Sequence, residues 1–127
     1  MTQFSNKFDL EERTAKFGSE VIQFCKKLEK ELVMKPVINQ LVRSGTSIGA
    51  NYCEANNASS RKDFRNKIFI CKKEAQETKY WLRISSDCLD KNQKEKARIL
   101  WKECQELTMI FQKIVNTIDS KNKMKIN

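Results

Sequence analysis

Apolar residues recur along most of this chain at steps of three and four, the spacing that gathers them on one side of an α-helix. The first stripe is Leu10, Phe17, Val21, Phe24, Leu28 and Leu32, and it predicts a helix near residues 9–34. Asp9 stands as the N-cap, with Glu12 three residues on in a capping-box-like spacing. Pro36 closes this helix, because proline cannot continue one and restricts the residue before it. Proline suits the first turn of the next helix, predicted over 36–55 with the stripe Val37, Leu41, Gly45, Ile48 and Tyr52. Asn56, Asn57, Ser59 and Ser60 break the pattern as a polar loop. A third helix over 60–86 is capped by Ser59 or Ser60, with Asp63 in its first turn, where the macrodipole favours an acid. Its stripe, Phe64, Ile68, Cys71, Ala75, Thr78 and Leu82, alternates steps of four and three, as in a coiled-coil seam. After a break at 87–92, a fourth helix over 92–120 carries Ala97, Leu100, Cys104, Leu107, Phe111, Ile114 and Ile118. The lysine-rich end, 121–127, is expected to fray.

Four amphipathic helices joined by short loops predict an all-α, antiparallel up-down four-helix bundle formed as a single domain by residues 1–127. With three Gly and one Pro in 127 residues, the chain lacks the turn formers that a β-sandwich or barrel requires. Gly45 and Gly49 form a G-x-x-x-G spacing, but Asn39, Gln40 and Arg43 interrupt the apolar run. The spacing is therefore read as close approach of a neighbouring helix, not as a membrane dimerisation motif. Ser44, Ser47, Asn51 and Glu54 make a polar row beside the stripe. It is read as structural, forming hydrogen bonds between helices with Glu54 paired to an arginine, since buried polar groups need partners. A binding surface is the alternative for this row.

The third helix carries more apolar surface than one bundle face can use. At about 100° per residue, Phe69, Ile70, Tyr80, Trp81 and Ile84 gather opposite the core stripe. Soluble monomers rarely expose such a patch, so a second copy of the chain is the expected cover and a homo-oligomer the expected state.

Charge adds a third face. The chain has 25 Lys and Arg against 16 Asp and Glu, for a formal charge of +9. Residues 1–60 hold eight cations and seven acids, whereas 61–127 hold seventeen and nine. On the third helix Arg61, Arg65, Lys72, Lys79 and Arg83 line one edge, with Lys62 and Lys73 beside them. A basic stripe of this kind is the electrostatic footprint of a nucleic-acid surface. The leading expectation is a non-enzymatic bundle that binds RNA or DNA through the phosphate backbone. A protein-interaction scaffold without nucleic acid is the alternative.

The absence of His removes Ser-His-Asp and Cys-His systems and most catalytic zinc sites. Five Cys, at 25, 53, 71, 88 and 104, include no C-x-x-C pair, and Cys71 and Cys104 fall on core positions as reduced thiols. Glu74 and Glu77 form an E-x-x-E, which in some all-α nucleotide pyrophosphohydrolases holds magnesium. No matching second pair accompanies them, so this is a remote alternative, and neither metal nor cofactor is expected. No run of about 18 apolar residues occurs, and residues 1–8 lack a signal-peptide core. A cytoplasmic location without membrane contact is the expectation.

The segment from Leu41 to Ile84 carries Arg43-Ser44, Ser47-Ile48, Asn51, Glu54-Ala55, Ser60, Asp63-Phe64, Lys73-Glu74-Ala75, Glu77-Thr78 and Tyr80-Trp81-Leu82 in that order. In these residues the chain resembles a bacterial four-helix-bundle family that includes proteins encoded in intervening sequences of large-subunit ribosomal RNA genes. The resemblance implies an up-down bundle assembled as a ring-like homopentamer. More distantly, the chain is similar to the accessory variability protein of diversity-generating retroelements. That likeness implies a basic pentamer binding nucleic acid and a reverse transcriptase.

Overall fold

The computed structural model describes the backbone of residues 2–28 and 32–126, with side chains for 9–28 and 32–123. Its elements are α1 (Thr2–Lys26), a 3-10 turn at Leu32–Met34, α2 (Lys35–Asn56), α3 (Arg61–Ser85), a 3-10 turn at Ser86–Cys88, and α4 (Lys91–Ile126). Each consecutive pair of helices packs together, and α4 returns to α1 along the loosest seam. Neighbours run antiparallel. Val21 faces Gly45 while Thr14 faces Gly49, and Arg43 reaches Glu74 while Glu54 reaches Lys67. This is the up-down four-helix bundle.

The predicted stripes supply most of the core. Phe17, Val21, Leu41, Ile48, Ile68, Cys71, Leu82, Leu107 and Phe111 are at most 1% exposed. Tyr52 and Phe111 meet at the centre with ring centroids 6.2 Å apart. Two stripe positions move by one residue: Ile38 is buried in place of Val37, and Val115 in place of Ile114. Close to the end of a stripe, both neighbours lie near enough to the core face for packing to choose between them.

Three helix ends differ from expectation. α1 begins at Thr2, so Asp9 is an interior residue and not a cap. Nothing between Thr2 and Asp9 is a helix breaker, and the helix continues backward through them. α1 ends at Lys26, well before the expected Met34. Lys27 and Leu28 turn back through backbone bonds to Phe24 and Cys25, 3.3 and 3.0 Å. Residues 29–31 of the expected helix lie outside the described residues. Leu32, the last member of the first stripe, is 82% exposed on the 3-10 turn. At the other end, α4 runs on to Ile126 with no Gly or Pro to stop it, so the tail expected to fray is helical.

Two helix starts are built by capping. The Ser60 hydroxyl accepts from the Asp63 amide at 3.0 Å. Asp90 and Gln93 form a reciprocal box: the Gln93 amide donates to Asp90 Oδ1 at 2.8 Å, and the Asp90 amide donates to Gln93 Oε1 at 3.1 Å. The α1–α2 seam depends on glycine. A Cβ on Gly45 would stand 3.0 Å from both methyl carbons of Val21, and one on Gly49 would stand 3.3 Å from Thr14 Oγ1.

Candidate nucleic-acid interface

Heptad spacing positions the basic edge of α3 against α4. Arg65 meets Asp119, Lys72 meets Gln112 and Lys79 meets Gln105, so contacts rise by seven along α3 as they fall by seven along α4. Two antiparallel helices keep this register because a residue seven further on returns to nearly the same face. The three cations therefore lie in the α3–α4 seam, while Arg61, Lys62, Lys73 and Arg83 are exposed beside it.

These cations differ in how far their charge is cancelled. Arg65 makes a two-pronged pair with Asp119, Nε to Oδ1 at 2.7 Å and Nη2 to Oδ2 at 3.1 Å. That hydrogen-bonded guanidinium holds the Asp119 carboxyl below the usual carboxylate range. Lys72 instead donates to the neutral Gln112 amide at 2.7 Å and lies 5.0 Å from the Phe69 ring centroid. Lys79 donates to Gln105 and lies 4.7 Å from the Trp101 centroid. Amides and rings orient an ammonium group without neutralising it. Among the described residues, no carboxylate lies within 4.0 Å of Arg61, Lys62, Lys72, Lys73, Lys79 or Arg83. Six of the seven expected cations thus keep an uncompensated charge on one side of the bundle, and Arg65 is the exception.

The second apolar face divides. Phe69 is 38% exposed, Tyr80 55% and Ile84 37%. Ile70 and Trp81 are half-buried on the flank towards α2, where Trp81 packs against the core. The Tyr80 and Trp81 rings meet edge-on at 5.2 Å. Trp101, which the sequence reading left unassigned, is 37% exposed on the α4 side of the basic seam. Its position four residues before Gln105 sets it on the same face of α4 as that seam glutamine.

Glu74 and Glu77 converge on Arg43 of α2. Arg43 Nη1 donates to both Glu74 oxygens at 3.2 Å, and its Nη2 donates to Glu77 Oε2. The Trp81 indole N–H donates to the same Glu77 oxygen at 3.0 Å. The Glu77 carboxyl is held below its usual range first by the Trp81 bond and then by Arg43. The pair thus clamps α2 to α3, and among the described residues no cluster of three His, Cys, Asp or Glu could hold a metal ion.

Only part of the polar row bridges helices. Ser44 is buried and its hydroxyl bonds the Thr78 hydroxyl between the helices at 2.9 Å, while Thr78 Oγ1 also lies 2.8 Å from the Glu74 carbonyl, so when the single Thr78 proton goes to that carbonyl Ser44 is the donor. Glu54 bridges to Lys67 at 2.7 Å, not to an arginine. Lys67 lies opposite Glu54 in the same antiparallel register that sets Thr78 opposite Ser44. Ser47 and Asn51 satisfy themselves on their own helix, bonding the carbonyls of Arg43 and Ser47 at 2.5 and 2.8 Å. Burial pushes the Cys71 thiol up to about 12 and raises that of Cys104 further. Cys53 and Cys88 are exposed. No helix among the described residues is long and apolar enough to cross a membrane.

Fold and surface together define a basic four-helix bundle in which α3 carries a row of cations along its seam with α4. Residues 6–114 match the family model described as 23S rRNA-intervening sequence protein. The chain belongs to that family. It is also similar to a protein of unknown function from the S23 ribosomal protein family of Bacteroides thetaiotaomicron VPI-5482, whose crystal structure was solved at 1.70 Å. The two are 33% identical over 83% of this chain and 96% of the other, with a TM-score of 0.74. No curated protein matches the sequence.

Proposed function

We propose that this chain is a non-enzymatic bundle that binds RNA or DNA through the phosphate backbone along α3 and α4. The observation that carries this reading is the set of six cations with no carboxylate partner, Arg61, Lys62, Lys72, Lys73, Lys79 and Arg83, all on one side. Each phosphate such a cation meets releases condensed counterions, which is a large source of affinity for nucleic acid. Contacts from lysine and arginine to phosphate carry no sequence information, so recognition follows shape and charge more than base sequence.

The bundle acts as a homo-oligomer. A second copy covers Tyr80 and Ile84 on the outward face of α3, together with the flank of Ile70 and Trp81, and Phe69 lies at the margin of this surface nearest the lysines. Symmetry repeats the cationic row around the assembly. The ring of five follows from the family resemblance. Exposed thiols at Cys53 and Cys88 suit a reducing compartment, and the protein works in the cytoplasm.

Replacing Arg61 and Arg83 with Glu tests the reading. Both side chains are exposed on the edge away from Tyr80 and Ile84, so the fold should hold by circular dichroism, and affinity for mixed-sequence RNA and duplex DNA should fall at least tenfold. Unchanged affinity would sink the nucleic-acid reading and favour a protein-interaction scaffold.

A further inference from the structure

The α3–α4 seam holds the same three-part unit twice. In one, Lys72 bonds the Gln112 amide and lies 5.0 Å from the Phe69 centroid; in the other, Lys79 bonds Gln105 and lies 4.7 Å from the Trp101 centroid. The lysines are seven residues apart on α3, about 10.5 Å at the helical rise. Each unit places a cation, a side-chain amide and a ring at the surface, and both rings keep more than a third of their area open. A duplex surface offers phosphates but hides the faces of its bases. A ring left open beside a fixed ammonium matches the combination used on single strands, where the backbone follows the charge and bases stack on aromatic faces.

We propose that the seam selects single-stranded nucleic acid, with an unpaired base stacked on Trp101 while Lys79 and Lys72 hold the adjoining phosphates. This rests on the nucleic-acid reading above and sharpens it. Phosphates alone give the rings no role, whereas a ring and a lysine held together twice along one seam offer both a stacking face and a phosphate contact. Phe69 is the weaker second platform, because its single ring offers less stacking area and lies at the edge of the oligomer face.

The test uses the full chain and three labelled 20-nucleotide probes: a mixed-sequence single strand, its duplex, and an abasic strand of equal phosphate count. Anisotropy should show the single strand bound at least fivefold tighter than both others. Trp101→Leu should weaken the single strand by about 5- to 150-fold, the range that base–aromatic stacking spans. The same variant should leave duplex binding within twofold, and Trp101→Phe should restore part of the loss. Equal binding of the base-bearing and abasic strands overturns stacking but leaves backbone binding standing, and that comparison needs no variant. Failure of all three probes to bind at low salt overturns the underlying reading as well.

Discussion

Two helix-interior glycines should respond to alanine with opposite signs. Gly18 and Gly45 both lie within helices with no unusual backbone, so each substitution gains about 1 kcal/mol of intrinsic helix propensity. They differ in the space above them. A Cβ on Gly18 would meet Thr46 Cα at 3.6 Å and its methyl at 3.7 Å, ordinary van der Waals contact. On Gly45 it would stand 3.0 Å from both Val21 methyls and 3.2 Å from Val21 Cβ. Val21 is 0% exposed, and a valine in a helix holds essentially one rotamer, so it has nowhere to turn. Overpacking of this kind costs about 1–3 kcal/mol. Gly18→Ala should therefore stabilise by about 0.5–1 kcal/mol, and Gly45→Ala should destabilise by about 1 kcal/mol. At roughly 4 °C per kcal/mol for a chain of this size, the two melting temperatures should separate by about 8 °C. Urea and thermal unfolding at one fixed protein concentration give both values. If Gly45→Ala stabilises as much as Gly18→Ala, α1 and α2 are not packed at the distance described, and the reading of the glycine spacing fails.

Three further outcomes are expected. Thr78→Val, which removes the buried bond to Ser44 while keeping the shape, should cost about 1 kcal/mol in urea unfolding; Ser44→Ala should cost less, because Thr78 keeps its bond to the Glu74 carbonyl. In the native protein, a thiol reagent at pH 8 should modify Cys53 and Cys88 quickly and spare Cys71 and Cys104 until unfolding, since burial raises both buried thiols and the thiolate is the nucleophile; uniform reactivity of all five would contradict the core. Stability should fall on acidification: Asp119 and Glu77 have carboxyls below their ordinary values in the folded state, so their contribution is full above the ordinary carboxylate range and is lost as pH drops through the depressed values. Asp119→Asn should remove part of that acid dependence, and an unchanged pH profile would refute the pairing.

The bundle was legible because its signal repeats. Each stripe gave the same helical period, and the central positions, such as Phe17, Ile48, Cys71 and Phe111, are where core packing leaves no choice. The ends were less legible. Asp9 and Glu12 have a capping spacing, yet that pattern can also sit inside a helix, and local sequence cannot say that the chain turns after Lys26 rather than at Pro36. The reciprocal Asp90–Gln93 cap was readable in kind, but taking 87–92 as one break hides where within it α4 begins. Charge was half legible. The wheel aligned Arg65 with its neighbours, but one helix cannot show that Asp119 of another cancels it, whereas Gln105 and Gln112 leave Lys79 and Lys72 charged. Trp101 escaped for the same reason: its importance comes from the α3 lysine across the seam, a contact set by the register of two helices.

Backbone binding through uncompensated cations is tested most directly by its salt dependence. Labelled mixed-sequence single-stranded RNA is titrated with protein by anisotropy at several salt concentrations. With four to six cations engaged per protomer, the plot of log affinity against log salt should fall with a slope between about −3 and −4, at about 0.7 per phosphate met by a single strand. A slope near zero, or no binding at the lowest salt, would contradict the account and leave the cationic side of α3 and α4 as a solvated surface.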